Sequence, residues 1–95
     1  MKRLPISFHQ RKYVLYFLKL CPKRPLRMFL ENKVIISEEY RILLIRRYVD
    51  NRTPKQLSLE FCSSTWWIGE RLRRAEDILI PQLESFVMES MNFIS

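Results

Sequence analysis

The sequence predicts a single all-α domain, a small bundle of about five helices, and three observations carry that prediction. The 95 residues include one glycine, which disfavours the tight hairpins and glycine-rich phosphate loops that need positive φ. Apolar residues recur at spacings of three and four along most of the chain. Helix-capping residues and prolines stand where these stretches begin. A chain of this length has room for one core, so residues 1–95 are one domain with parts at 1–36, 37–80 and 81–95.

The first predicted helix opens at a capping box. Ser7 and Gln10 have the required spacing, and the helix they begin ends near Leu20. Its core-facing positions are Tyr13, Val14, Phe17, Leu18, Leu20 and Cys21. A second stripe combines Lys12, Tyr16, Lys19 and Lys23, a mixture that suits a nucleic-acid backbone and equally suits plain solvent.

Two prolines separate this helix from the next. Pro22 and Pro25 disfavour helical geometry in the residues before them, so a short helix is expected over 26–32. Residues 34–36 are β-branched and predict an extended connector that packs onto the core.

Residues 37–50 predict a central helix. Ser37 is a good N-cap, and Glu38 and Glu39 lie in the first turn, where the helix dipole favours negative charge. Asn51 tolerates the left-handed conformation that ends many helices. The apolar residues Ile42, Leu43, Leu44, Ile45, Tyr48 and Val49 cover a wide arc, which is typical of a helix packed on several sides.

A second capping signal follows at once. Thr53 and Gln56 form a capping box with Pro54 at the first helical position, which predicts a short helix over 54–61. Residues 62–65 form a turn, and a longer basic helix begins near Trp66. Its inward face is predicted to carry Ile68, Leu72, Ala75 and Leu79.

A short capped helix, a tight turn and a longer basic helix is the layout of a helix-turn-helix. The stretch TPKQLSLEFCSSTWWIGERL, residues 53–72, resembles that motif in sigma-factor region four and in LuxR-type regulators. The preceding EYRILLIRRYV, residues 39–49, is similar to the helix before it in sigma factors. Cys62 stands where those families have a turn glycine. The size and layout resemble small regulators of phages or mobile elements, and the resemblance implies DNA binding.

Helix geometry assigns the contacts that such a motif would make. The predicted base-reading set is Ser64, Thr65, Trp66, Gly69, Glu70 and Arg73. The predicted phosphate set is Arg52, Thr53, Lys55, Gln56 and Arg74. Trp67 is expected to flank the core beside Ile78, whereas Trp66 either contacts a partner or covers Gly69.

Charge points to an anionic partner. The net charge is +7, with nine basic residues against one acidic residue in 1–33 and none against four in 75–95. Double-stranded DNA is the first predicted partner, and RNA polymerase or another protein is the alternative, which the two tryptophans favour. A membrane surface ranks third; no signal peptide or membrane span is recognised, so a cytoplasmic, DNA-associated protein without a membrane partner is expected.

Catalysis and bound cofactors are not predicted. His9, Cys21 and Cys62 are too few and too scattered for a zinc site or a nucleophile–base pair, so no catalytic residue, metal or cofactor is assigned. Both cysteines are expected to be buried and reduced.

The last part, residues 81–95, is acidic and carries an apolar stripe. Pro81 is expected to interrupt the helix or to begin another. The stripe, formed by Leu83, Phe86, Val87, Met91 and Ile94, is expected to close the domain against the first helix or to form a homodimer.

Overall fold

The computed structural model describes the backbone of residues 8–94 and the side chains of residues 11–83 and 86. Between residues 8 and 94 it contains helices and no strand, which confirms the all-α prediction. The elements are α1 (Phe8–Leu20), α2 (Lys23–Asn32), α3 (Glu38–Leu44), a π segment (Ile45–Val49) that continues α3, α4 (Pro54–Glu60) and α5 (Thr65–Ile94). The capping box predicted for Ser7 and Gln10 lies outside the described residues and side chains.

The joint between α1 and α2 is anchored by a lysine. α2 begins at Lys23 rather than Leu26, because Pro25 falls in its first turn, where a missing N–H leaves no helical bond unmade. The Lys23 ammonium donates to the carbonyl oxygen of Tyr48 at 2.8 Å and to Oδ1 of Asn51 at 3.2 Å. Lys23 therefore ties α2 to the end of the π segment and does not belong to the exposed Lys–Tyr stripe, so that part of the prediction is wrong.

The central helix widens into the π segment before it ends. Ser37 precedes α3, although its side chain makes no capping hydrogen bond. Asp50 donates its backbone N–H to the carbonyl of Ile45 at 3.0 Å, five residues back. Asn51 then adopts a φ of 56°, as predicted, and turns the chain out of the helix.

The link from α4 to α5 follows the predicted local chemistry. Gln56 donates its backbone N–H to Oγ1 of Thr53 at 3.1 Å, and Thr53 donates its own N–H to Oε1 of Gln56 at 2.8 Å, which confirms the capping box. Cys62 occupies the left-handed region with a φ of 53°. Ser64 caps α5, because its Oγ accepts the backbone N–H of Trp67 at 3.0 Å.

Two adjoining clusters form the core. The larger joins α1, α2, the π segment and α5; its buried members are Leu18, Cys21, Leu26, Phe29, Leu30, Val34, Leu44, Tyr48, Ala75, Leu79 and Leu83. The smaller, formed by Leu43, Leu57, Ile68 and Leu72, fastens α3 and α4 to the first turns of α5, with Trp67 packed against it. The predicted inward face of α5 is thereby confirmed.

The last helix does not break at its proline. α5 runs without interruption through Pro81, although proline inside a helix costs about 3 kcal/mol. Burial on both sides offsets that cost, since Ile80 and Leu83 are 5% and 1% exposed. Phe86 stacks on Phe29 with ring centroids 4.6 Å apart. This part of the predicted apolar stripe therefore closes the domain; the side chains beyond Phe86 lie outside the description.

A polar network crosses the larger cluster. Tyr48 donates its hydroxyl hydrogen to Oε2 of Glu76 at 2.6 Å, and the guanidinium of Arg11 meets Oε1 of the same carboxylate at 2.5 Å. Arg11 also pairs with Asp77 and donates to the carbonyl oxygen of Arg73 at 3.3 Å. Burial, and then the Glu76 carboxylate, raise the pKa of Tyr48 above its ordinary value. The network locks α1 onto α5.

Several predicted burials are wrong. Tyr13 and Leu20 are exposed because α1 packs one narrow face inward. Cys62 is exposed at the turn, whereas Cys21 is buried as predicted, and burial raises the pKa of its thiol. Ile78 is also exposed, so Trp67 flanks the core without it.

Candidate nucleic-acid interface

The start of α5 presents the one aromatic side chain of the predicted base-reading set. Trp66 is 74% exposed. Gly69, one turn later, is exposed as well, and a Cβ built on it would meet nothing within 4 Å. Trp66 therefore does not cover Gly69, and the α5 backbone is open to close approach at this point. Ser64 and Thr65 are also exposed, with the Ser64 oxygen already accepting its capping bond.

The far end of the predicted base-reading set is limited by α1. Glu70 is half-buried and Arg73 is exposed. One turn beyond Arg73, Asp77 pairs with Arg11, so α1 lies against this part of α5. The surface available on this side of α5 therefore runs from Ser64 to Arg73 and ends there.

The predicted phosphate set divides into free and engaged side chains. Arg52 and Lys55 are exposed and make no ion pair with any side chain that the structure describes. Thr53 and Gln56 accept with their side-chain oxygens in the capping box, which leaves the Thr53 hydroxyl hydrogen and the Gln56 amide N–H groups as the donors there. Arg74 is exposed on α5, well along the chain from the other four. The capping box thus holds Arg52 and Lys55 on either side of a fixed helix start.

Trp67 and Arg71 form a pair beside this region. The Arg71 guanidinium lies over the Trp67 ring, 4.8 Å from its centroid. Stacking of this kind restrains the arginine while its N–H groups stay available to an acceptor. Neither residue belongs to the predicted contact sets, and the i, i+4 spacing of an aromatic and an arginine is the signal that could have paired them.

Positive charge between residues 52 and 74 is largely without ion-pair partners. Among the side chains from residue 52 to residue 74, those without an ion pair comprise five basic residues and one acidic residue, Glu70. The basic five are Arg52, Lys55, Arg71, Arg73 and Arg74. The other carboxylate in that range, Glu60, contacts Arg46 at 3.2 Å. The ion pair with Arg46 thus neutralises one of the two acidic groups in this range, whereas the five basic groups keep their charge.

Sequence reasoning missed a basic pocket next to the start of α4. Its lining includes Arg27 and Arg46 together with Arg52 and Gln56 from the predicted phosphate set. Arg27 comes from α2 and Arg46 from the π segment, so only the tertiary fold unites them. No spacing in the sequence could have signalled this grouping.

No protein-family model matches this chain, and neither a curated protein nor a solved structure is significantly similar to it. None of the helices within residues 8–94 combines the length and the apolar character that crossing a membrane requires. Among the described side chains, those of residues 11–83 and 86, three or more His, Cys, Asp or Glu do not gather at any point where they could hold a metal ion.

Proposed function

We propose that this protein is a sequence-specific DNA-binding regulator of transcription without catalytic activity, in which α4 and the first turns of α5 act as a helix-turn-helix of the sigma-region-four type. In this proposal the start of α5 enters the major groove, with Trp66 and Arg73 reaching base edges beside the open backbone of Gly69. Arg52 and Lys55 hold the flanking phosphates.

The observation that carries the proposal is the unpaired positive charge between residues 52 and 74. Five basic side chains in this range make no ion pair, and Glu70 is the one carboxylate there that is also unpaired. Duplex DNA supplies a dense row of phosphates, and each cation that neutralises one releases a counterion. A surface of this kind, next to an exposed helix start, suits a duplex better than a neutral partner.

A gel-shift experiment with pooled random duplexes tests the proposal. Full-length protein is titrated at about 50 to 200 mM salt, and retained duplexes are sequenced. We expect affinity to fall steeply with salt and the retained pool to be enriched for one sequence. Absence of a shift at the lowest salt contradicts DNA binding, and a shift without enrichment contradicts sequence specificity.

One observation favours a second candidate, a module that binds RNA polymerase or another protein of the transcription machinery. Trp66 and Leu59 are each 74% exposed, and tryptophan is among the commonest energetic centres of protein interfaces. A pull-down of purified RNA polymerase with wild type and with Trp66→Ala tests this candidate. Capture that depends on Trp66, together with no duplex binding, favours the protein partner.

A further inference from the structure

A polar pocket of about 610 Å³ opens between α2, the π segment and the start of α4. Three guanidinium groups line it, from Arg27, Arg46 and Arg52, together with Asp50 and two amide side chains. These arginines come from α2, the π segment and the loop before α4, and they line one shallow depression that is open to solvent. Grouped arginines suit phosphate groups, since the planar fork of arginine matches phosphate oxygens.

Local structure explains the convergence. Lys23 fastens α2 to the end of the π segment, and Arg27 lies one turn further along the same face of α2. The left-handed Asn51 returns the chain, so that Arg52 donates its backbone N–H to the carbonyl of Arg46 at 2.9 Å. Backbone hydrogen bonds and the Lys23 anchor therefore fix the backbone from which the three arginine side chains extend.

The N–H groups of the pocket arginines are not all hydrogen-bonded to the carboxylate that lines the pocket, Asp50. Asp50 lies between two of them, 3.7 Å from Arg27 and 3.6 Å from Arg46. Both distances are those of ion pairs and exceed an ordinary hydrogen bond, so the N–H groups that face Asp50 can still donate to a closer acceptor. Arg52 makes no ion pair with a described side chain.

Acidic groups outside the pocket limit its charge without closing it. Glu31 contacts Arg27 at 3.8 Å, and Glu60 contacts Arg46 at 3.2 Å, yet neither carboxylate lines the pocket. Inside it, three positive groups face one negative group. A small anion with several acceptor oxygens fits this lining, because it can receive N–H groups that the carboxylates leave unbonded.

We propose that this pocket binds a phosphate group, carried either by a DNA backbone or by a free phosphorylated molecule. Arg27 and Arg52 donate to the phosphate oxygens. The phosphate competes with Asp50 for Arg27 and Arg46. The site adds α2 to the surface that meets the anionic ligand.

Binding of pyrophosphate and of a selected duplex to full-length protein tests the proposal. Thermal shifts at constant ionic strength, with chloride as the reference anion, measure pyrophosphate affinity. We expect Arg27→Gln and Arg52→Gln each to weaken phosphate binding about tenfold, because each loses hydrogen bonds to a charged group. Arg24→Gln is the matched control for Arg27→Gln: it removes the same charge from an exposed position of the same helix outside the pocket, and should change affinity less than twofold.

The pyrophosphate and duplex measurements together distinguish the two sources of the phosphate. Competition by pyrophosphate for the duplex, with weaker duplex binding by Arg27→Gln, assigns the pocket to a DNA phosphate. Lost pyrophosphate binding with unchanged duplex affinity assigns it to a free phosphorylated molecule. If Arg27→Gln and Arg52→Gln have the same pyrophosphate and duplex affinities as Arg24→Gln, the proposal is wrong. If the wild type binds pyrophosphate but no duplex, the phosphate site is supported and the proposed DNA binding is contradicted.

Discussion

The Tyr48 hydroxyl and the Glu76 carboxylate meet at 2.6 Å inside the larger core cluster, 28 residues apart in the chain. Glu76 is 8% exposed, and Arg11 meets its other oxygen. A buried carboxylate without partners would destabilise the fold strongly. The core can therefore pack around Glu76 only because Tyr48 and Arg11 bind its carboxylate.

We expect Tyr48→Phe to lower the free energy of unfolding by about 1–3 kcal/mol at pH 7, because the buried carboxylate loses a hydrogen bond. The difference in unfolding free energy between the wild type and this variant should shrink above pH 10. There, an unfolded tyrosine ionises while the raised pKa keeps folded Tyr48 protonated, so the wild type loses about 1.4 kcal/mol per pH unit relative to the variant. Urea unfolding from pH 7 to 11 measures this, and a constant difference would contradict it.

Cys62→Gly should raise the free energy of unfolding by about 0.5–1 kcal/mol. A non-glycine residue at a φ of 53° costs about 1–2 kcal/mol, and glycine relieves that strain at a smaller entropic cost. Cys62→Ala is the control, because it removes the exposed thiol and keeps the strain. Equal stability of the two variants in chemical denaturation would show that the turn is not strained.

Gly69→Ala should also stabilise the fold, by about 0.5–1 kcal/mol, since alanine favours helix and the new Cβ meets nothing within 4 Å. Under the proposed function it should nevertheless weaken duplex binding, because the Cβ would stand where the backbone approaches DNA. Higher stability with unchanged affinity would remove Gly69 from the interface.

The double variant Arg52→Ala/Lys55→Ala should bind every duplex more weakly and reduce the slope of log affinity against log salt by about 2. Arg24→Ala/Lys33→Ala removes the same charge from exposed positions outside both predicted contact sets and should leave the slope within about 0.5 of the wild type. Identical slopes in the two double variants would place the phosphate contacts elsewhere.

The two neighbouring tryptophans should respond differently to truncation. Trp66→Ala should change the free energy of unfolding by less than about 0.5 kcal/mol, since the side chain is exposed. Trp67→Ala should cost about 2–4 kcal/mol, because the ring packs against the smaller cluster and under Arg71. Thermal denaturation compares them, and equal losses would contradict the assigned helix faces.

Features set by residues close in sequence were predictable. The capping box of Thr53 and Gln56, the left-handed Asn51 and the buried stripe from Ile68 to Leu79 depend on local chemistry and helical spacing, and all three are confirmed.

Features that join distant segments were not predictable. Nothing local to Glu76 distinguishes it from its exposed neighbour Asp77, and its partners are contributed by α1 and the π segment. The pocket arginines belong to α2, the π segment and the loop before α4, and they line one site only when α2 docks on the π segment. The contact sets proposed for DNA remain predictions.

The attachment of α1 to α5 has a consequence for synthesis of the chain. Arg11 and Glu76 are 65 residues apart, so at about 5–20 residues per second the ribosome needs about 3 to 13 s to make the second after the first. During that interval the apolar face of α1, including Leu18, has no α5 to cover it. A nascent chain stalled before residue 76 should therefore expose this face of α1 to chaperones. Once α5 has been synthesised and has packed on α1, the face should be buried and chaperone binding should be lost.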